Sequence, residues 1–143
     1  MNNPKPCIMD DELWAGYFRN SRETYSRVIH PNFKILKDKG VTILAGTDST
    51  NLGLATGGSL HVELAHLVEG GLTPPEALIS ATSTPARILR EVFHKNIDFG
   101  VIEEGKSADL LLVEGDPTKN IRDTENIIAV FYKGNRLESR LQQ

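Results

Sequence analysis

The residues best equipped for chemistry gather in one stretch, Gly46-Thr47-Asp48-Ser49-Thr50. It follows Val41-Thr42-Ile43-Leu44-Ala45, a short apolar, β-branched run that reads as a strand buried on both faces. A carboxylate just past the C-terminal end of such a strand sits where α/β barrels and doubly wound sheets place their reacting groups. Asp and Ser also favour plain turns, because they hydrogen-bond to their own backbone. The local pattern therefore leaves a turn and a functional loop equally open. The four histidines are His30, His61, His66 and His94. His61 and His66 lie on one predicted helix at a spacing that points them in different directions, so they make no i, i+4 metal pair. His66 and Glu69 read as an exposed helical pair. A structural zinc needs about four convergent ligands, which Cys7 and these scattered histidines do not offer.

The elements that must position Asp48 are legible around it. Residues 1–20 read as loop, with Trp14, Tyr17 and Phe18 as packing residues. Ser21 to Lys39 has a helical stripe in Tyr25, Val28, Ile29, Phe33 and Leu36; Pro31 kinks or splits it and Gly40 closes it. A Gly-containing loop over residues 51–58 has no phosphate-binding spacing. Ser59 then caps a helix carrying Leu60, Leu64, Leu67 and Val68, the stripe of an amphipathic helix, and Gly70-Gly71 stops it. Thr73-Pro74-Pro75-Glu76 spells a capping box with proline in the first turn. Ser83-Thr84-Pro85 repeats the device before a helix over Ala86 to Phe93. After His94 the period changes. Asp98 to Lys106 reads as a short strand between glycine turns, and Asp109 to Val113 and Ile127 to Tyr132 read as strands. Lys133-Gly134-Asn135-Arg136 is a hairpin turn, with Arg136 to Arg140 as the returning strand. The expectation is that Asp109–Val113 pairs with Ile127–Tyr132 or a neighbour, in a small sheet separate from the helices. The composition shift near Phe93 to Ile97 divides the chain into residues 1–93 and 94–143.

Composition bounds the function. The chain has 143 residues, is 39% hydrophobic and 24% charged, and carries a formal net charge of -3, an ordinary globular profile. No basic run invites nucleic acid or an anionic membrane surface. No apolar run approaches the roughly 20 residues of a membrane span. The single cysteine fits a reducing, cytoplasmic setting.

Several of these stretches, in this order and spacing, resemble a known family. They are Ala45-Gly46-Thr47-Asp48-Ser49, Leu60-His61-Val62-Glu63-Leu64, Gly71-Leu72-Thr73-Pro74-Pro75-Glu76-Ala77-Leu78, Ala81-Thr82-Ser83-Thr84-Pro85-Ala86, and the run from Gly100 to Leu110. From about Asn32 onward the chain is similar to the C-terminal portion of the metal-dependent amidohydrolases, in the imidazolonepropionase-like and Xaa-Pro dipeptidase-like branch. The resemblance implies an α/β fold: the C-terminal part of a TIM-like (β/α)8 barrel over residues 1–93, then strands of a small β-sandwich over residues 94–143. Val41–Ala45 would be the eighth barrel strand, and the chain a fragment or one piece of a split enzyme.

The resemblance also implies chemistry. Such enzymes hold one or two divalent metals, usually zinc, and hydrolyse C–N bonds of amides, cyclic amides or dipeptides by metal-activated water. Asp48 matches the catalytic aspartate after the eighth strand, which touches the metal or its water and moves the proton. His61, at the start of the next helix, is a candidate substrate contact, with capping or packing as the alternative. The family's His-x-His motif occurs nowhere here, and its other ligands lie on strands this chain lacks. Asp48 is therefore a metal ligand only when the missing ligands are supplied, and the chain by itself is expected to be inactive. Partners would be a small amide or peptide substrate, and either a second copy or a complementary barrel chain; the other classes are a non-catalytic interaction module and a small independent α+β domain that has lost the site.

Overall fold

In a computed structural model, residues 24–49 and 56–138 are described. The expected loop over residues 1–20 and the Gly-containing loop over residues 51–55 lie outside them. The chain divides into two compact units, Met1–Val41 and Thr42–Gln143.

In the first unit, Pro31 splits the helix as expected. A π-helical turn spans Tyr25–Ile29, and an α-helix, α1, runs from His30 to Asp38 with Pro31 in its first turn. Proline has no N–H for the i→i−4 ladder, so a regular α-helix cannot pass through it without losing a bond. Gly40, at φ 71°, closes α1 with both bonds of a Schellman motif: its N–H goes to the Lys37 carbonyl at 2.8 Å and that of Val41 to Leu36 at 3.0 Å. Only glycine takes that left-handed position without a Cβ penalty.

The second unit opens with a correction. Val41–Ala45, expected as a buried strand, has no regular secondary structure, and Val41 and Leu44 are exposed. A strand exists only through its ladder, and none of the strands in the described residues pairs with this segment. Ala45 instead donates its N–H to the Ser80 carbonyl at 3.0 Å.

Three helices follow: α2 (Gly58–Glu69), α3 (Pro74–Ala81) and α4 (Ser83–Glu91). Ser59 lies inside the first turn of α2 rather than capping it; Gly57, at φ 83°, is the N-cap. Gly71 and Leu72 close α2 with a second Schellman pair, to Val68 and Leu67, each at 3.0 Å. The capping box of α3 forms as read: Thr73 N–H donates to Glu76 Oε2 at 2.6 Å, and Glu76 N–H donates to Thr73 Oγ1 at 3.4 Å. The second proposed cap does not form. Thr82, not Ser83, is the N-cap residue of α4, and its hydroxyl turns back to the Leu78 carbonyl at 2.7 Å. Thr82 ends α3 and begins α4 at once, which leaves no room for the Ser-Thr-Pro cap.

The buried residues of this unit are small or medium: Leu64, Ala65, Leu67, Leu72, Ala77, Ala86, Ile121 and Ala129, with Ser80 and Thr124 among them. Helix α3 packs on both α2 and α4, and α2 packs on a 3₁₀ helix at Ile121–Glu125. Asp98 to Lys106, expected as a strand, is an irregular loop pinned by the Ser107 N–H to the Asp98 carbonyl at 2.7 Å. Two glycine turns in nine residues leave too little chain for a ladder.

The expected pairing of Asp109–Val113 with Ile127–Tyr132 forms, but the returning strand begins at Asn135, inside the turn expected over Lys133–Arg136, and runs to Leu137. The sheet has the order β1 (Leu110–Val113), β2 (Ile127–Tyr132), β3 (Asn135–Leu137), all antiparallel, with a bulge at Leu112/Val113. Lys133 and Gly134 form the tight turn, both at positive φ (49° and 80°), as a two-residue I′ hairpin requires. The Asp109 carboxylate and the Ala108 carbonyl accept the Lys133 and Gly134 amides at 2.7 and 3.0 Å. That clamp gives the Ser107-Ala108-Asp109 motif a structural task.

Gly100 is the tightest joint. A Cβ there would lie 2.5 Å from the Ala86 Cβ and 2.8 Å from the Thr82 carbonyl oxygen, at φ 93°. Gly100→Ala is therefore expected to destabilise the chain by about 2–4 kcal/mol, combining overpacking with left-handed strain. Urea denaturation measures it; a loss below about 0.5 kcal/mol would show that this joint is not rigid.

Candidate functional site

Asp48 is carried on an irregular segment, exposed, with its backbone in the left-handed region at φ 50°. Aspartate tolerates this conformation better than most residues, and such backbone is concentrated at turns and functional sites. Thr47 and Ser49 bridge across it, Oγ1 to Oγ at 2.6 Å. Two residues upstream, the Gly46 N–H donates to Glu63 Oε1 at 3.5 Å. Glu63 projects from α2 beside the buried Leu64 and Ala65. Ser80, whose carbonyl holds Ala45, is itself buried, with its hydroxyl donating to the Ala77 carbonyl at 2.7 Å. The loop bearing Asp48 is thus tied to two helices.

His61 is used differently. Its Nδ1 lies 3.0 Å from Thr124 Oγ1, and that hydroxyl donates to the Ile121 carbonyl at 2.8 Å. Thr124 has one hydroxyl proton, so with both bonds made His61 is the donor and carries a proton on Nδ1. This is the packing alternative weighed for His61: it joins α2 to the 3₁₀ helix. The ring also lines an open, mostly apolar cleft of about 580 Å³, with Leu60, Val62, Leu111, Glu125 and Ile127. Asp48 does not line that cleft, so the two candidate residues are not brought to one pocket. His66 and Glu69 form the expected surface pair at 3.3 Å, and His94 is exposed.

The metal implied by the resemblance was tested against the donors present. Among the described residues, no set of three His, Cys, Asp or Glu ligand atoms within coordinating reach includes Asp48. A catalytic zinc takes about three protein ligands. These residues do not by themselves make the metal centre, and no step is drawn through it.

Sequence reasoning passed over Glu63, Thr124 and Asp123. Asp123 accepts the Asp116 N–H at 2.8 Å and the Asn120 side-chain amide at 2.7 Å. The signal was available in the density of turn formers from Gly115 to Asn120.

The amidohydrolase family profile matches residues 19–137. The chain belongs to the amidohydrolase family, whose members are generally metal-dependent and whose fold is of TIM-barrel type. It is similar to a crystal structure of a Xaa-Pro dipeptidase with bound methionine in the active site, at 35% identity and TM-score 0.64, covering 78% of this chain and 26% of that one. It is also similar to a second amidohydrolase, at 28% identity and TM-score 0.62, covering 79% and 26%. A molinate hydrolase matches at 25% identity and TM-score 0.65, covering 78% and 27%. The chain therefore spans about a quarter of the length of these structures. No curated protein matches it at comparable significance. No helix of the described residues is long and apolar enough to cross a membrane.

Among the described residues one carboxyl, Asp116, is held far from its ordinary value, and its task is structural. Lys119, 2.8 Å away, then the Thr118 hydroxyl and amide, hold Asp116 down at about 2, from 3.8. A depressed carboxylate stabilises the folded state fully above its unfolded value, and the contribution fades as pH falls through the folded value. Asp116→Asn should thus lose stability less steeply than the parent between about pH 4 and pH 2. Acid titration by circular dichroism tests this; identical slopes would remove Asp116 from the acid response.

Proposed function

We propose that this chain supplies the Asp48 portion of a hydrolase active site that cleaves C–N bonds of small amides, cyclic amides or dipeptides. What carries the reading is the family match over residues 19–137, together with an exposed Asp48 on a segment tethered to two helices. The named activity of the similar Xaa-Pro dipeptidase supports C–N hydrolysis, and that of the molinate hydrolase supports hydrolysis as the reaction class. On this reading Asp48 accepts a proton from the attacking water, the water oxygen bonds to the carbonyl carbon, and the proton passes to the leaving nitrogen as the C–N bond breaks. A divalent metal, zinc by preference for this chemistry, belongs to ligands that this chain does not itself assemble. The barrel and sandwich division at residues 93/94, a cytoplasmic setting and His61 as a substrate contact remain parts of the proposal.

The test joins the chain to the complementary barrel portion of a related dipeptidase. Amide hydrolysis should appear in the assembled form and be absent from the 143-residue chain alone. Asp48→Asn should lower turnover by roughly 10²–10⁴-fold, the usual cost of losing a general base. Near-normal turnover by that variant, or robust hydrolysis by the chain alone, would overturn the assignment.

One observation favours a second reading, that the chain acts by associating with another. The sheet exposes Leu111, Leu112, Ile127, Ile128, Tyr132 and Leu137, an apolar surface of the kind that marks interaction sites. Light scattering at micromolar concentration should then report concentration-dependent self-association. A compact monomer across that range would remove it.

A further inference from the structure

We infer that Glu63 is a positioning residue for Asp48, acting through the Gly46 amide; the inference rests on the reading of Asp48 as the proton acceptor. Consecutive amides just upstream of Asp48 go to different anchors, Ala45 to the Ser80 carbonyl at 3.0 Å and Gly46 to Glu63 Oε1 at 3.5 Å. The first anchor is main chain and survives any side-chain change. The second is a side chain seventeen positions away in sequence, so it is the one a substitution can remove. Among the described residues the Glu63 carboxylate has no basic partner. Its task is therefore not an ion pair. At 3.5 Å and exposed, the contact is long, so it acts as a tether that sets the place of the segment and not as a strong charge-assisted bond.

The surroundings make the bond directional. Glu63 sits on α2 next to Leu64 and Ala65, both buried, so its backbone is fixed by the core. Gly46 has open space where a Cβ would lie and no positive φ. Its place in the chain is thus set by what holds its N–H, not by a steric need for glycine. Two residues on, Asp48 is at φ 50°, a conformation that persists only when neighbouring contacts determine it. The Thr47–Ser49 hydroxyl bridge holds the local turn, and Glu63 ties that turn to the helix. Losing Glu63 would leave Asp48 chemically intact but remove one anchor of its loop, and a misplacement of about 1 Å can cost about a hundredfold in rate.

Amide spectra of the 143-residue chain test this without any need for turnover. The Gly46 amide proton resonance should move in Glu63→Ala relative to the parent and return most of the way in Glu63→Gln, which keeps an acceptor oxygen. Hydrogen exchange at Gly46 should be about tenfold faster in Glu63→Ala than in the parent, and Glu63→Gln, which keeps an acceptor oxygen, should recover most of the protection. The amides of Leu64 and Leu67 should be unaffected. A Gly46 amide indifferent to Glu63→Ala would overturn the inference, as would equal acceleration along all of α2. In the assembled hydrolase, Glu63→Ala should lower kcat more than it raises KM, with partial rescue by Glu63→Gln. Should Asp48→Asn keep normal turnover, the reading of Asp48 fails, while the Gly46 measurements still decide whether Glu63 holds the loop.

Discussion

The second unit depends on close packing between helices whose contact positions are small. Ala65 on α2, Ala77 and Ser80 on α3 and Ala86 on α4 are all buried, and α3 touches both neighbours. Small residues let backbones approach, and protein interiors respond to even a single added methylene. The closeness has two consequences. It leaves Gly100 against the α3–α4 joint with no space for a Cβ. It also presents the Ser80 carbonyl and the Glu63 carboxylate to the loop before Asp48. The candidate proton acceptor is thus held by the same packing that holds the helices.

What the sequence made legible was whatever is decided over a few residues. Thr73 and Glu76 sit at capping-box spacing, and the bonds form. Gly40 and Gly71 close helices because their left-handed backbone is nearly free only for glycine. The hairpin after β2 follows from the turn residues. Ser59 and Ser83 were misread for a related reason: each is a good local cap, but Gly57 and Thr82 entered the helix first. Local signals compete, and the backbone one position upstream decides which of them is used.

What was not legible depends on partners remote in sequence. Val41–Ala45 has the composition of a buried strand, yet strand formation needs a neighbouring strand, and composition does not say whether one is present. Asp98–Lys106, by contrast, was broken by its own glycine turns. The site shows the same division. Asp48 was found because it follows a recognisable apolar run. Glu63 was written into the same motif as His61 and left without a task, because its bond reaches seventeen residues back. His61 drew attention as a histidine near the site, and Thr124, which fixes its tautomer, lies sixty-three residues further on.

The two kinds of evidence about the active site concern different lengths of chain. The family match and the tethering of Asp48 belong to residues within this chain. Among the described residues no three-ligand set includes Asp48, and a lone carboxylate is a poor zinc site. The similar structures are about four times longer than the portion they share with this chain. The sheet makes the same point through hydrophobicity. Leu112 and Val130 point to opposite faces, since their partners Ala129 and Leu111 alternate along the ladder, and both are exposed. A sheet apolar on both faces has the character of an interior layer. Asp48 and this sheet thus share one feature: both are exposed on the described residues, the first as a carboxylate on a tethered loop, the second as apolar side chains in contact with water.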